Sequence, residues 1–257
     1  MITSANPTPR NDSTTSNLRI EEAALRAWPA AQQLLYDGWV ARLSDGYTKR
    51  ANSASLLYPQ TCSTEDTTID RIEQLYHSQN LPVIYRLLSF TTPIHLDQRL
   101  AARGYREADG TLVMRLDLSS KLERDPRVRE LDVEQGIEAH ARMNDLPDAI
   151  LPGHRRILER IPGGLSFVGL FDGDKLVACG LSVTDGDLVG LFDIVTDPAH
   201  RRQGHGGRLV RGMLAQAAAQ GVSTAYLQVV ISNAPAIALY ETLGFTEGYR
   251  YAYRILD

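Results

Sequence analysis

The feature that most constrains the fold is a basic, glycine-rich stretch, HRRQGHGGRL at residues 200–209, between a predicted strand and a predicted helix. The preceding DLVGLFDIVTD (187–197) is apolar enough to predict a buried strand. The following GRLVRGMLAQAAAQG (207–221) predicts a helix that ends at a glycine, with its apolar residues on one face. A chain that passes from strand to helix through glycines indicates a fold containing both α and β structure.

The rest of the chain alternates predicted strands and helices in the same way. LSFVGLFD, a DGDK turn and LVACGLSV (165–183) predict a β-hairpin. The fold class expected from this order is α/β (α+β), with strands and helices in one chain of mixed topology.

Composition excludes several functions. The 257 residues carry a formal net charge of −4 and a sequence pI of about 5.9, whereas a nucleic-acid-binding domain is usually basic. No apolar run approaches the ~20 residues of a membrane span, so we expect a cytoplasmic protein without membrane partners. Cys62 and Cys179 stand in unrelated contexts and the six histidines lack ligand spacing, so we expect no metal site.

The chain divides into four predicted regions. Residues 1–18 are polar with two prolines and predict a flexible tail. The charged stretch 119–130 has the composition of a linker, which separates an N-terminal half (19–118) from a C-terminal half (131–257).

The two halves share a weak internal repeat at an offset of 140 residues. Gly104 and Tyr105 correspond to Gly244 and Phe245, and each pair follows a predicted helix and precedes a closing strand. This repeat favours two related domains, although the same arrangement is common in proteins. The N-terminal half has no glycine-rich stretch, so only the second copy retains the chemistry.

The glycine-rich stretch predicts an anion site. The first N–H groups of a helix lack intrahelical partners, and the helix dipole adds positive potential at that end. Glycines at 204, 206 and 207 let phosphate oxygens approach the backbone, and three arginines surround them, so a diphosphate fits best. A Walker A loop is excluded because Gly-Lys-Ser/Thr is absent, and Leu209 stands where a dinucleotide fingerprint needs its third glycine.

A second motif, SNAPAIALYETLGF (232–245), follows one strand later, and together the two motifs resemble the GNAT (Gcn5-related N-acetyltransferase) superfamily. The resemblance covers roughly residues 130–257 and is strongest over 188–250. It is closest to the bacterial ribosomal-protein alanine N-acetyltransferases, and the N-terminal half is similar to a degenerate first domain of two-domain members. It implies a mixed, mostly antiparallel sheet flanked by helices, in two tandem GNAT-like domains of which only the second is intact.

The resemblance also implies acetyl-CoA as co-substrate, with its pyrophosphate at the glycine-rich stretch. Main-chain groups of the preceding strand would bind the pantetheine arm as an added strand does, and Asn233 would contact the same arm. The alternative for Asn233 is a helix N-cap, and one residue can serve both roles. The His205 ring is expected to point to solvent. The implied cofactor-binding residues are Ile194, Val195, Thr196, Arg201, Arg202, Gln203, Gly204, His205, Gly206, Gly207, Asn233 and Tyr240.

Two residues are candidates for catalysis. By resemblance, Tyr240 protonates the departing thiolate, as a phenol with a pKa near ~10 can do. Its structural alternative is a tyrosine that packs in the helix. The related ribosomal-protein enzymes place a glutamate base where this chain has Gln228, and an amide cannot accept the proton. Asp193 interrupts the apolar strand and is the remaining candidate base, or else it forms a salt bridge to an arginine such as Arg201.

Two functions therefore remain open. One is acetyl transfer from acetyl-CoA to a primary amine by direct attack, with a small molecule, a peptide or a protein as acceptor. The other is a CoA-binding regulatory or interaction protein. The missing glutamate favours this second function slightly, whereas the intact Tyr240 motif favours acetyl transfer more strongly. The segments NDLPDAILPGHRR (144–156) and DGWVARLSDGYTKRANS (37–53) are candidates for the acceptor cleft, and the chain is expected to be a monomer or a homodimer.

Overall fold

The computed structural model of the protein describes residues 12–60, 64–118 and 122–256. Cys62 and the ends of the predicted tail and linker at 1–11 and 119–121 lie outside these ranges. Within them the α-helices are α1 (Asp12–Ala27), α2 (Glu65–Ser78), α3 (Ile94–Ala102), α4 (Val133–Asn144), α5 (Leu151–Glu159), α6 (His205–Ala219) and α7 (Ala234–Thr242). The strands are β1 (Gln32–Tyr36), β2 (Trp39–Leu43), β3 (Ala54–Leu56), β4 (Ile84–Leu88), β5 (Arg106–Asp117), β6 (Val128–Leu131), β7 (Leu165–Asp172), β8 (Lys175–Asp185), β9 (Leu188–Thr196), β10 (Thr224–Val230) and β11 (Thr246–Ile255).

These strands form one mixed sheet in the order β1-β2-β3-β4-β11-β5-β10-β9-β8-β7-β6. The pairs β3·β4 and β9·β10 are parallel and the other pairs are antiparallel, which confirms the mostly antiparallel sheet. The predicted hairpin is confirmed as β7 and β8, whose register runs from Leu165↔Val183 to Asp172↔Lys175.

The two halves exchange their last strands. β5, from the N-terminal half, lies between β10 and β11, and β11 lies between β5 and β4. The division into halves at 119–130 stays a prediction, but the sheet is continuous across it. The predicted tail at 1–18 is too long, because residues 12–18 belong to α1. The predicted linker at 119–130 is also too long, because β6 begins at Val128.

Helices cover both faces of the C-terminal part of the sheet. Alternate residues of β9 point to opposite faces, so Val189 and Leu191 pack under α6 while Phe192 belongs to the cluster under α1, α4 and α5. The α6 face predicted from the sequence is confirmed, since its apolar residues Leu209, Val210, Met213, Leu214 and Ala217 are all buried. The face under α1 is where the two halves of the chain meet.

Candidate active site

The central feature of the site is an opening between two parallel strands. The pairing of β9 with β10 runs from Leu188↔Thr224 to Leu191↔Leu227, and no further pair follows in the described residues. At the same point Asp193 adopts a left-handed φ of 50°, and the register of β9 against β8 shifts. This is a β-bulge, which turns the rest of β9 away from β10.

Beyond the bulge, the predicted pantetheine-binding residues lie along the opening. Val195 and Thr196 pair with Cys179 and Ala178 of β8 on one side, and no strand of the described residues pairs with them on the side towards β10. An extended ligand could use the backbone groups on that free side, as an added strand would. Their role in binding a pantetheine arm stays a prediction.

The glycine-rich stretch forms a tight turn into α6 at the end of β9. Arg202 and Gly204 both have left-handed backbones, with φ of 63° and 77°. No side chain in the described part of the chain caps the helix, and the Arg208 N–H donates to the Gly204 carbonyl at 3.1 Å to form the first turn. Arg201, Arg202, Gln203 and Arg208 are exposed around this uncapped N-terminus. The turn thus offers main-chain donors and positive charge to one anion.

The expectation for His205 is wrong. Its ring is buried rather than directed to solvent, with 7% of the residue exposed. Neither ring nitrogen has a hydrogen-bond partner among the described residues. His205 is the first residue of α6, where the helix packs down on the sheet, and this carries its side chain inwards.

α7 carries the second motif. Asn233 is its N-cap, and the side-chain oxygen accepts a hydrogen bond from the Ala236 N–H at 3.3 Å. Tyr240 lies in the next turns with its ring edge-on to Phe245, and the residue is only 7% exposed. Burial raises the pKa of Tyr240 to about 12, so the phenol carries its proton at neutral pH. Asn233 thus caps the helix and Tyr240 packs within it, as the structural alternatives predicted. Both contacts are compatible with a role in binding or catalysis.

Asp193 has a partner that the sequence did not indicate. The Nε2–H of His154, on α5, donates to its Oδ2 at 2.9 Å, while Arg201 instead contacts the Thr196 carbonyl at 3.4 Å. The expected alternative of a salt bridge to Arg201 is therefore wrong. His140 of α4 lies 3.2 Å from the Asp193 main-chain oxygen through Nδ1.

These contacts keep Asp193 ionised. Burial alone would raise the pKa of its carboxyl group, but the hydrogen bond from His154 and the neighbouring His140 hold the pKa below its ordinary value. The side chain stays 15% exposed. The Nδ1 of His154, in contrast, is buried without a partner in the described residues. The arrangement can attract an ammonium group to the bulge of β9.

The N-terminal half supplies one wall of this site. The Trp28 ring stacks against His154 at 5.8 Å and against Phe192 at 5.9 Å between ring centroids. Tyr47 lies 6.3 Å from His154, and the Arg50 guanidinium lies 5.2 Å from the Trp28 ring. Tyr47 and Arg50 belong to the segment 37–53, and His154 to the segment 144–156, which the sequence indicated as candidates for the acceptor cleft.

Gln228 lies on β10, opposite the bulge. Its Oε1 accepts a hydrogen bond from the Tyr251 hydroxyl at 2.9 Å, and its Nε2 is buried without a partner among the described residues. Gln228 therefore offers a buried hydrogen-bond donor at this point of β10 rather than a base.

The described residues contain no cluster of three metal-ligating side chains. Likewise, no helix within those ranges has the length and apolar character needed to cross a bilayer.

A mixed sheet that opens at a bulge beside an uncapped, glycine-rich helix start defines the GNAT class of acetyltransferase folds. The chain belongs to that superfamily, and within it to the family described as "Probable histone acetyltransferase Rv0428c C-terminal", whose model matches residues 15–254. It is 30% identical over 245 residues to the "Uncharacterized N-acetyltransferase YobR" of Bacillus subtilis, an alignment that covers 92% of this chain and 97% of that protein.

Three further similarities cover a part or nearly the whole of the chain. The ribosomal protein bS18-alanine N-acetyltransferase of Escherichia coli is 42% identical over 73 residues, which cover 28% of this chain and 49% of that enzyme. A GCN5-related N-acetyltransferase from Kribbella flavida has a TM-score of 0.72 at 17% identity, covering 93% of this chain and 95% of its own. A tandem GNAT protein from the clavulanic acid pathway has a TM-score of 0.60 at 14% identity and covers 99% and 90%. The tandem fold is thus confirmed.

Proposed function

We propose that the protein transfers an acetyl group from acetyl-CoA to a primary amine by direct attack within a ternary complex. The observation that carries this proposal is the opening between β9 and β10, which has the uncapped start of α6 at one end and Asp193 at the other. A thioester with an extended arm and a diphosphate suits this arrangement, because the arm can pair with the free side of β9 and the diphosphate carries the charge that the start of α6 attracts.

Binding of acetyl-CoA would use the main chain. The N–H groups from Arg202 to Gly207 face the pyrophosphate, and Arg201 closes over it. Ile194, Val195 and Thr196 bind the pantetheine arm along the free side of β9, and Asn233 contacts the arm from the start of α7. No metal is required, because the chemistry needs only an orienting carboxylate and a proton donor.

The reaction then uses two side chains. Asp193 is ionised, so it attracts the acceptor ammonium and accepts its proton, directly or through a water molecule. The free amine forms a bond to the carbonyl carbon of the thioester, and the carbon–sulfur bond breaks. Tyr240 gives its proton to the departing sulfur, which leaves as the thiol. The nitrogen loses its second proton to solvent water as the amide forms, Tyr240 regains a proton from solvent, and Asp193 releases the proton that it accepted.

The test is thiol release from acetyl-CoA with a panel of primary amines. We expect Tyr240→Phe to lose about 10²- to 10⁴-fold in kcat while CoA affinity, measured by calorimetry, is unchanged. Asp193→Asn should also lose turnover, and most of it should return at high pH, where the amine is already deprotonated. Tyr36→Phe, on the distant edge strand β1, is the matched control and should behave as wild type.

The second candidate is a CoA-binding regulatory protein, which Gln228 favours because the base of related enzymes is missing from β10. CoA binding without turnover of any amine would establish this alternative. Absence of CoA binding would contradict both proposals and the assignment of the glycine-rich stretch.

A further inference from the structure

Arg50 is a cation in the wall of the site that makes no direct ion pair among the described residues, although its charge helps to lower the pKa of the Asp193 carboxyl group. It lies on the 3-10 turn Lys49–Ala51 and is half-buried, with its guanidinium 5.2 Å from the Trp28 ring and 5.8 Å from the Phe192 ring. Its Nε is buried without a hydrogen-bond partner, and no ion pair to Arg50 occurs in the described ranges. Aromatic faces stabilise a guanidinium but leave its N–H donors unsatisfied.

The surroundings of Arg50 carry an excess of positive charge. Arg42 is buried, and its guanidinium donates to the main-chain oxygens of Leu25, Trp28 and Arg50 rather than to a carboxylate. Burial and the neighbouring Arg86 and Arg50 lower the pKa of Arg42 to about 10. An anion placed beside Arg50 would relieve this repulsion.

Other unsatisfied donors lie on the same side of the sheet. Tyr226 is 1% exposed, packs edge-on to Phe192 with 6.2 Å between ring centroids, and has a hydroxyl without a partner among the described residues. Gln228, two residues further along β10, presents its unpartnered Nε2 on the same face. A buried polar group without a partner is costly, so such a set of donors indicates that a ligand supplies a hydrogen-bond acceptor here.

The position of Arg50 indicates that this hydrogen-bond acceptor is a group of the amine substrate. Trp28 contacts both Arg50 and His154, and His154 binds the carboxylate of Asp193. The start of α6 lies beyond the other end of the opening, after Thr196. A ligand whose amine faces Asp193 therefore has Arg50 on the side away from the bound pyrophosphate.

We propose that the acetyl acceptor is a small amine that also carries a carboxylate, as an amino acid does, and that Arg50 binds this carboxylate. This inference rests on the proposed acetyl transfer. A basic protein tail is disfavoured, because Arg50 and Arg42 would repel its charges and because Trp28, only 5% exposed, encloses the cleft.

The test compares amines that differ only in charge at the far end. Thiol release is measured with glycine, β-alanine and 4-aminobutyrate, each beside its carboxamide, so that the distance between amine and carboxylate also varies. For the preferred length we expect KM for the acid to be about 10- to 100-fold below that for its amide. Arg50→Gln should remove this preference by raising KM for the acid alone, and Arg50→Lys should restore part of it.

The control is Arg129→Gln, since Arg129 also stacks on an aromatic ring, with its guanidinium 3.9 Å from Phe171, but lies on the edge strand β6. It should keep the preference for acids. Because the acid–amide comparison is made on the wild-type protein, it decides the question even if an Arg50 variant fails to fold.

Equal KM for acids and amides in the wild type would overturn the inference and leave acetyl transfer intact. Better turnover of a lysine-containing basic peptide with an amidated C-terminus would also overturn it. Thiol release with none of these amines would instead count against the proposed function.

Discussion

A buried ion pair between Glu21 and Arg86 ties together α1, β4 and β11. Glu21 is completely buried, and the Arg86 guanidinium donates to both of its carboxylate oxygens, with 3.0 Å between Nη2 and Oε2. The Tyr249 hydroxyl donates to the same Oε2 at 2.6 Å. Because β11 comes from the C-terminal half and the other two elements from the N-terminal half, we expect this cluster to stabilise the union of the halves.

The magnitude follows from what each substitution leaves behind. Glu21→Gln leaves the buried guanidinium of Arg86 uncompensated, which costs about 3–5 kcal/mol of the free energy of unfolding. Tyr249→Phe removes one hydrogen bond to a charged group and costs about 1.5–3 kcal/mol. The double variant Glu21→Leu/Arg86→Met removes both charges, so its cost should be well below that of Glu21→Gln. A domain is typically stable by only 5–15 kcal/mol, so these differences are measurable.

The assay is urea unfolding followed by circular dichroism at neutral pH, repeated in acid. Burial alone would raise the pKa of Glu21, but Arg86 and Tyr249 hold it below its ordinary value. The stability from the carboxylate is thus present above its unfolded pKa and is lost as the pH falls through the lower folded pKa. The difference in free energy of unfolding between wild type and Glu21→Gln should therefore become smaller at acidic pH. A loss below 1 kcal/mol for Glu21→Gln, or a double variant less stable than Glu21→Gln, would refute the reasoning.

Two further predictions concern a turn and the contact between His154 and Asp193. Gly164 has a φ of +72°, and a Cβ added to it would lie 2.2 Å from a main-chain oxygen of β8. Gly173 has a φ of +60°, but a Cβ added there would meet no atom of the described residues within 4 Å. Gly164→Ala should therefore lower Tm by several degrees more than Gly173→Ala. Similar Tm values for both variants would contradict this. His154→Gln removes the strongest of the contacts that lower the pKa of Asp193, so the acidic limb of the kcat/KM profile should move to higher pH. If the acidic limb of the profile does not move, the ionisation of Asp193 does not control the rate.

Local features of the chain were predictable from the sequence because their causes are local. The apolar face of α6 follows from helical periodicity, and the hairpin of β7 and β8 from its turn. The repeat is also visible in the backbone, where Gly104 and Gly244 end α3 and α7 with φ of 91° and 93°. Only glycine adopts this conformation without strain, so it leaves a residue-specific mark in the sequence.

Features that depend on contacts between distant residues left no such mark. The register Thr246↔Arg115 joins strands 131 positions apart, and nothing within either strand specifies that partner. His154 and Arg50 were likewise missed as individual residues, because each is unremarkable among its sequence neighbours and acquires meaning only beside Asp193 and Trp28. Asp193 could be found because a carboxylate interrupts an apolar strand, but its bulge could not.

The exchange of β5 and β11 gives a physical reason why the two halves remain in one chain. Without β5, the edges of β10 and β11 would be left unpaired in the middle of the sheet. The same exchange fixes α1 and the turn at Lys49–Ala51 over the opening of β9. The half that lacks the glycine-rich stretch thus keeps a role, because it both completes the sheet and supplies Trp28 and Arg50 to the site. Under the proposed function, the C-terminal half, which has the glycine-rich turn, would bind the cofactor, and the N-terminal half would contribute to binding the acceptor.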